Sequence, residues 1–155
     1  MKAAVITISD RAHRGIYEDL SGPAIRRLIQ EAFPDCEVRG LLVPDEEAEI
    51  MHAFRKCLDA DFVLTTGGTG ISSRDITPET TAAYCDKELP GIAEALRAAS
   101  LRETPRAMLS RAYAGMKGKT IIVNFPGSVK GASFCTQVLI PVMTHALEMR
   151  DGEGH

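Results

Sequence analysis

Short runs with strand character, separated by stretches whose apolar residues fall at helical spacing, constrain this chain more than any other feature of its sequence. The run Ala3 to Ile8 (AAVITI) is apolar and rich in β-branched residues and ends in Ser9-Asp10, as a strand buried on both faces does. A loop follows. Ser21 then reads as an N-cap with Pro23 in the first turn, and Ile25, Leu28, Ile29 and Ala32 keep helical spacing until Phe33-Pro34 stops the pattern. Glu37 to Val43 reads as a second strand, and Glu46 to Leu58 as a helix with Ile50, Ala53, Phe54 and Cys57 on one face. Phe62 to Thr66 is a third strand. Further helices are expected over Pro78 to Tyr84, Gly91 to Leu101 and Ala132 to Met149, with Thr120 to Asn124 (TIIVN) as the last strong strand. Such alternation implies an α/β fold, a doubly wound and mostly parallel sheet with helices on both faces, because right-handed crossovers place helices there.

A length of 155 residues fits one domain able to bury roughly two thirds of its unfolded surface. Residues 1–150 are expected to form that domain and 151–155 a frayed tail. The net charge of -3 and an aromatic share of 5% without tryptophan argue against nucleic acid as a partner. Cys36, Cys57, Cys85 and Cys135 are scattered, without a C-x-x-C pair or zinc-like histidine offsets, and His13, His52, His145 and His155 form no cluster. With no signal peptide and no run of 18 apolar residues, the expectation is a cytoplasmic protein, off the membrane, with four reduced and mostly buried thiols.

The stretch Leu64 to Glu79 (LTTGGTGISSRDITPE) carries the chemistry. It begins at the carboxyl end of a strand, where open α/β sheets bind ligands. No lysine follows the glycines as a P-loop requires, and Ser73 stands where a dinucleotide fingerprint needs its third glycine. Gly67, Gly68 and Gly70 permit backbone N–H groups to converge on an anion, and Thr66 and Thr69 add hydroxyl donors; a tight turn that merely needs glycine is the alternative. A branched side chain at Gly68 is therefore expected to damage anion binding more than folding.

Asp75 precedes Thr77, which reads as an N-cap, and Pro78, which reads as the first helical residue. With the cap assigned to Thr77, Asp75 is expected to face the pocket; a surface pair with Arg74 is the alternative. A carboxylate beside a bound phosphate needs a cation between them, and Mg2+ held by one or two carboxylates is the usual arrangement. Asp45 is the second candidate, and it reads equally as the start of the helix that continues through Glu46-Glu47. Neighbouring strands would place Asp45 and Asp75 on one edge of the sheet, close enough to share a metal ion. Gly127 and Ser128, after Asn124-Phe125-Pro126, form either a second phosphate site at a helix N-terminus or a simple β-to-α turn.

Five strings, TISDRAHRGIYEDLSGP, VPDE, TTGGTGISSRDITPE, PRAMLSRAYAG and IIVNFPGS, together resemble the molybdopterin adenylyltransferase family, the MogA and MoaB type also seen as the G domain of gephyrin and of plant molybdenum insertases. The resemblance spans nearly the whole chain. It implies an enzyme of molybdenum cofactor biosynthesis that uses ATP and Mg2+ to adenylylate the terminal phosphate of molybdopterin and releases pyrophosphate. By motif, Asp45 and Asp75 resemble the acids needed for turnover. Gly67, Gly68, Thr69 and Gly70 would hold nucleotide phosphates with Ser9, Asp19 and Gly22 nearby, while Ser110, Asn124, Gly127 and Ser128 would lie towards the pterin. Many members read P-G-x-P, and Val129 stands here in place of the second proline. The resemblance further implies a homo-oligomer, trimer or hexamer, that hands its product to a molybdenum insertase. The alternative is a non-catalytic paralogue that binds molybdopterin or nucleotide as a carrier, regulator or assembly module.

Overall fold

The structure, a computed structural model, describes residues 1–152; the expectations for positions 153–155, His155 among them, lie outside the described residues. In chain order the elements are β1 (Lys2–Ile8), α1 (Asp10–His13), α2 (Ser21–Ala32), β2 (Glu37–Val43), α3 (Glu47–Lys56), β3 (Phe62–Thr66) and α4 (Thr77–Tyr84). The chain continues through β4 (Lys87–Glu88), α5 (Pro90–Leu101), a 3-10 turn at Pro105–Leu109, β5 (Ala114–Lys117), β6 (Thr120–Phe125) and α6 (Val129–Asp151). The sheet order is β2-β1-β3-β6-β5-β4, with the first four strands parallel to one another and β5 antiparallel to both its neighbours, β6 and β4. This is the mixed, mostly parallel α/β architecture that the alternation implied.

The period of two along β1 divides the core. Ala3 and Val5 join Phe62, Leu64 and Val123 beneath Ile25 and Ile29 of α2 and the helices α5 and α6. Ala4, Ile6 and Ile8 point the other way and pack with Val63, Ile122 and the Ile50-Ala53-Phe54 face of α3. Strands covered on both sides are apolar along most of their length, which is why β3 and β6 are buried at every position.

The structure moves three expected caps. Leu20, not Ser21, holds the N-cap position of α2, and the acceptor there is Asp19, whose Oδ1 takes the Gly22 N–H at 3.0 Å. Asp19 lies one residue further out than a cap, and its longer side chain spans the difference. Asp45 does not cap α3; Glu46 occupies that position without a side-chain bond. Thr77 is the first helical residue of α4 rather than its cap, and its N–H is satisfied by the Gly68 carbonyl at 3.1 Å. The loop after β1, expected to be irregular, contains the single turn α1, capped by Ser9 through the Ala12 N–H at 3.2 Å. The expected closing helix is longer at both ends, starting at Val129 under Ser128 and running through Asp151.

The hairpin of β5 and β6 and the two-residue β4 have no counterpart in the sequence reading. Lys117 pairs with Thr120 across the two-residue turn Gly118-Lys119, and Lys87 with Met116. All four cysteines are free thiols, with Cys36, Cys57 and Cys135 buried and Cys85 partly so. His13, His52 and His145 are not drawn into the core. Among the described residues no helix is long and apolar enough to cross a membrane.

Candidate active site

The carboxyl ends of β1, β2, β3 and β6 lie on one edge of the sheet, and the loops leaving them build two adjoining clefts. β1 stands between β2 and β3, so the strands that precede Asp45 and Asp75 are not neighbours as expected. The two acids nevertheless line one cleft, because the loop after β3 folds back across the end of β1. Gly67 makes that crossing possible. It has a φ of +104°, and a Cβ there would lie 2.2 Å from the Ile8 carbonyl oxygen. Its N–H donates to the Phe125 carbonyl at 3.2 Å, so the loop is fastened to the end of β6 as it passes β1.

Gly68, at φ +65°, shows where the loop meets the acids. A Cβ on it would fall 2.3 Å from Thr77 Oγ1 and 2.9 Å from Asp45 Oδ1. A branched side chain at Gly68 thus meets Thr77 and the cleft-lining Asp45 before it meets a guest, so it strains the loop as well as the cleft. Thr77 is fully buried, and its Oγ1 is the one buried side-chain polar atom among the described residues without a hydrogen-bond partner. An orphaned hydroxyl at the first turn of α4, beside a carboxylate, is a departure from ordinary packing.

Asp45 is 9% exposed, and burial pushes its carboxyl above the usual carboxylate range, a direction reinforced by the charges of Asp10 and Asp75. Its position is set by a reciprocal pair: the Asp10 N–H donates to Asp45 Oδ2 at 2.9 Å, and the Asp45 N–H donates to Asp10 Oδ1 at 3.0 Å. Arg74 completes the arrangement by donating to both Asp10 oxygens at 3.0 and 3.1 Å and to Glu46 at 2.8 Å. The bonds from Arg74 hold the Asp10 carboxyl below its usual range. Arg74 therefore pairs with Asp10 and Glu46, and not with the adjacent Asp75. The Asp75 carboxylate takes the Ser72 N–H at 2.9 Å and lines both clefts.

The smaller cleft, about 370 Å³, is walled by Ser9, Asp19, Asp45, Thr66 and Gly67 together with Gly68, Asp75 and Gly127. The larger, about 770 Å³, shares those last three residues and adds Thr69, Gly70, Ser110, Asn124 and Ser128. Gly22 enters neither wall; it borders a third, smaller hollow with Asp19 and Arg26. Several expected ligand groups already have partners. Thr66 Oγ1 donates to the Pro126 carbonyl at 2.8 Å, Asp19 Oδ2 accepts from Thr7 Oγ1 at 2.7 Å, and Ser128 Oγ accepts the Gly131 N–H at 3.1 Å. Asn124 is fully buried, its amide donating to Thr65 and Thr81 hydroxyls at 3.0 Å each and its oxygen accepting the Tyr113 N–H at 3.2 Å. Its side chain ties β6 to β3, α4 and the residue before β5.

Residues the sequence reading did not single out complete both clefts. Arg97, Arg106 and Lys130 bring positive charge to the larger one. They come from α5, the 3-10 turn and the start of α6, and no spacing in the sequence connects them. Asp10 was legible as a polar residue at a strand end, but its pairing with Asp45 spans 35 residues. Among the described residues no group of three or more His, Cys, Asp or Glu side chains is placed to hold a metal by protein ligands alone. Two carboxylates in one cleft, one of them desolvated and pressed by like charge, fit a cation that also takes phosphate oxygens.

The family described as a probable molybdopterin binding domain matches residues 4–145. The molybdopterin adenylyltransferase of Helicobacter pylori strain J99 is 41% identical over 149 residues, 94% of this chain and 85% of that protein. The molybdopterin biosynthesis enzyme MoaB of Thermus thermophilus superposes with a TM-score of 0.89 at 42% identity, over 97% of this chain and 96% of that one. The tungsten cofactor synthesizing protein MoaB of Pyrococcus furiosus superposes with a TM-score of 0.88 at 35% identity, over 96% of each chain.

Proposed function

The chain belongs to the molybdopterin-binding family of the MogA and MoaB type, and from that premise we propose that it is a molybdopterin adenylyltransferase of molybdenum cofactor biosynthesis. The observation that carries the reading is the junction of two clefts at Gly68, Asp75 and Gly127. A transfer between two phosphorylated substrates requires two sites that share one wall, with the groups that manage charge at that wall.

The glycine loop from Gly67 to Gly70 receives the phosphates of ATP, with Ser9 and Thr66 at its flank, and the larger cleft receives molybdopterin. Arg97, Arg106 and Lys130 there suit an acceptor that carries a phosphate monoester, largely dianionic near neutral pH. An oxygen of that monoester attacks the α-phosphorus of ATP. The new P–O bond forms as the bond to the bridging oxygen breaks, and the electron pair leaves with pyrophosphate. The acceptor needs no base, so the role of Asp45 and Asp75 is electrostatic. They are the residues that would hold Mg2+, which when bound neutralises charge on the triphosphate.

Residues 1–150 act as one domain, and the protein works as a homo-oligomer, a trimer by the family resemblance, that passes its product to an insertase in the cytoplasm. The test is direct. Purified protein incubated with molybdopterin, ATP and Mg2+ is expected to yield adenylylated pterin and pyrophosphate in equal amounts. Binding of both substrates without product would replace this reading with that of a carrier.

A further inference from the structure

One guanidinium spans the loop that carries Asp75. Arg111 Nε donates to the Gly70 carbonyl at 2.6 Å and Nη2 to the Asp75 carbonyl at 2.6 Å, while Nη1 is paired with the Glu79 carboxylate. The Arg111 N–H adds a bond to the Thr69 carbonyl at 3.0 Å. Between the two clamped carbonyls the loop closes on itself, with the Asp75 N–H on the Ser72 carbonyl at 3.0 Å and the Ser72 N–H on Asp75 Oδ2 at 2.9 Å. Arg111 enters the wall of neither cleft, whereas Gly70, Asp75 and the preceding residue Ser110 do. It stands behind the loop.

We propose that Arg111 is the positioning residue of Asp75: it sets the distance between Gly70 and Asp75 and so presents the carboxylate to the junction of the two clefts. The inference rests on the adenylyl-transfer reading for its effect on turnover, but not for its effect on the loop. A planar fork is required, because two carbonyls and a carboxylate are engaged in three directions from one group. A lysine supplies donors from a single point and reaches one carbonyl at a time. The Glu79 pair locks the rotation of the fork.

The test compares Arg111→Lys, Asp75→Asn and the double variant with the wild type. ATP affinity is measured by calorimetry in saturating Mg2+ and in chelator, and turnover by steady-state kinetics. Arg111→Lys is expected to bind ATP in chelator within about twofold of wild type but to lose about tenfold of the gain that Mg2+ confers, the size of one charge-assisted hydrogen bond. Its kcat is expected to fall by at least about tenfold with the KM for molybdopterin nearly unchanged. The double variant should be little slower than Asp75→Asn alone, since both changes remove one unit. Equal loss of ATP affinity with and without Mg2+ would reduce Arg111 to general support of the loop, and additive losses in the double variant would separate it from Asp75; either overturns the proposal. Should Arg111→Lys fail to fold, Glu79→Gln unlocks the rotation of the fork and is expected to lose a smaller share, about threefold, of the same Mg2+-dependent gain, no loss at all overturning the proposal. A wild type that makes no adenylylated pterin defeats the functional reading alone, because the Mg2+-dependent binding still decides the role of Arg111. A wild type without any Mg2+-dependent gain defeats both.

Discussion

The two clefts meet at three residues but are made in different ways. The smaller one is walled by strand ends and by polar groups that already have partners: Asp45 with Asp10, Asp19 with Thr7, Thr66 with Pro126, and Ser9 with Tyr17 at 2.8 Å. The larger draws Arg97, Arg106 and Lys130 from three separate elements, and of these only the Arg97 side chain has a partner among the described residues, the Ala112 carbonyl at 2.7 Å. The contrast suits the division of labour proposed above, with the nucleotide triphosphate at the smaller cleft and the acceptor in the larger. Groups that must stabilise charge during bond exchange benefit from being fixed beforehand, whereas groups that recognise an acceptor gain from side chains that adjust to it.

The largest effect is expected where the clefts join. Asp75→Asn should lower kcat by about a hundredfold to a thousandfold while molybdopterin affinity holds, and adding Asp45→Asn should slow it scarcely further. Steady-state kinetics across a magnesium titration decide this, and fully additive barriers would remove the idea of one shared metal-holding pair. Gly68→Val attacks the fixed cleft from inside. With its side chain driven towards Thr77 and Asp45 from a left-handed backbone, it should cost about 3 kcal/mol of folding stability, read as a lowered midpoint in denaturant. A variant of wild-type stability that merely fails to bind ATP would restore the view that the side chain projects into the cleft.

Arg106→Ala sharpens the comparison from the other side. It should weaken molybdopterin binding by about tenfold and leave ATP binding alone, as calorimetry with each ligand would show. Loss of ATP affinity as well would mean that Arg106 serves the nucleotide phosphates and not the acceptor alone. The smallest effect concerns the orphaned hydroxyl. Thr77→Val removes a buried oxygen without a partner and keeps the shape, so the free protein should gain up to about 1 kcal/mol. Thermal unfolding with and without ATP and Mg2+ separates two cases. If the gain turns into a loss when the ligands are present, the hydroxyl serves the bound state.

The strand assignments show which signals survive translation into three dimensions. β2 and β3 match their expected limits residue for residue, since each is a short run of strand-forming character closed by residues that favour turns or helix starts. β4 and β5 were invisible for the opposite reason. Two and four residues at the sheet margin carry too little pattern, and they become strands only because β6 offers an edge to β5 and β5 in turn offers one to β4. The caps moved by a residue or two because side-chain length and neighbouring carbonyls compete for the same N–H groups, as Asp19 and Gly68 do for the starts of α2 and α4.

Local composition was enough to place the glycine loop behind β3, to put Asp45 and Asp75 after strands that end on one edge of the sheet, and to carry a motif set that identifies the family. Those are properties of a chain read over a few residues at a time: glycine's freedom, an apolar run, an acid after a strand. The remaining features required distance to be abolished. Arg111 reaches Gly70 across 41 positions, Arg74 reaches Asp10 across 64, and Asn124 reaches Thr65 across 59. A long polar side chain carries no mark of the carbonyl or carboxylate it will meet, because its hydrogen bond is defined by geometry that exists only after the sheet has ordered its strands. Hence the glycine loop and its acids were legible in advance, and the groups that hold them in shape were not.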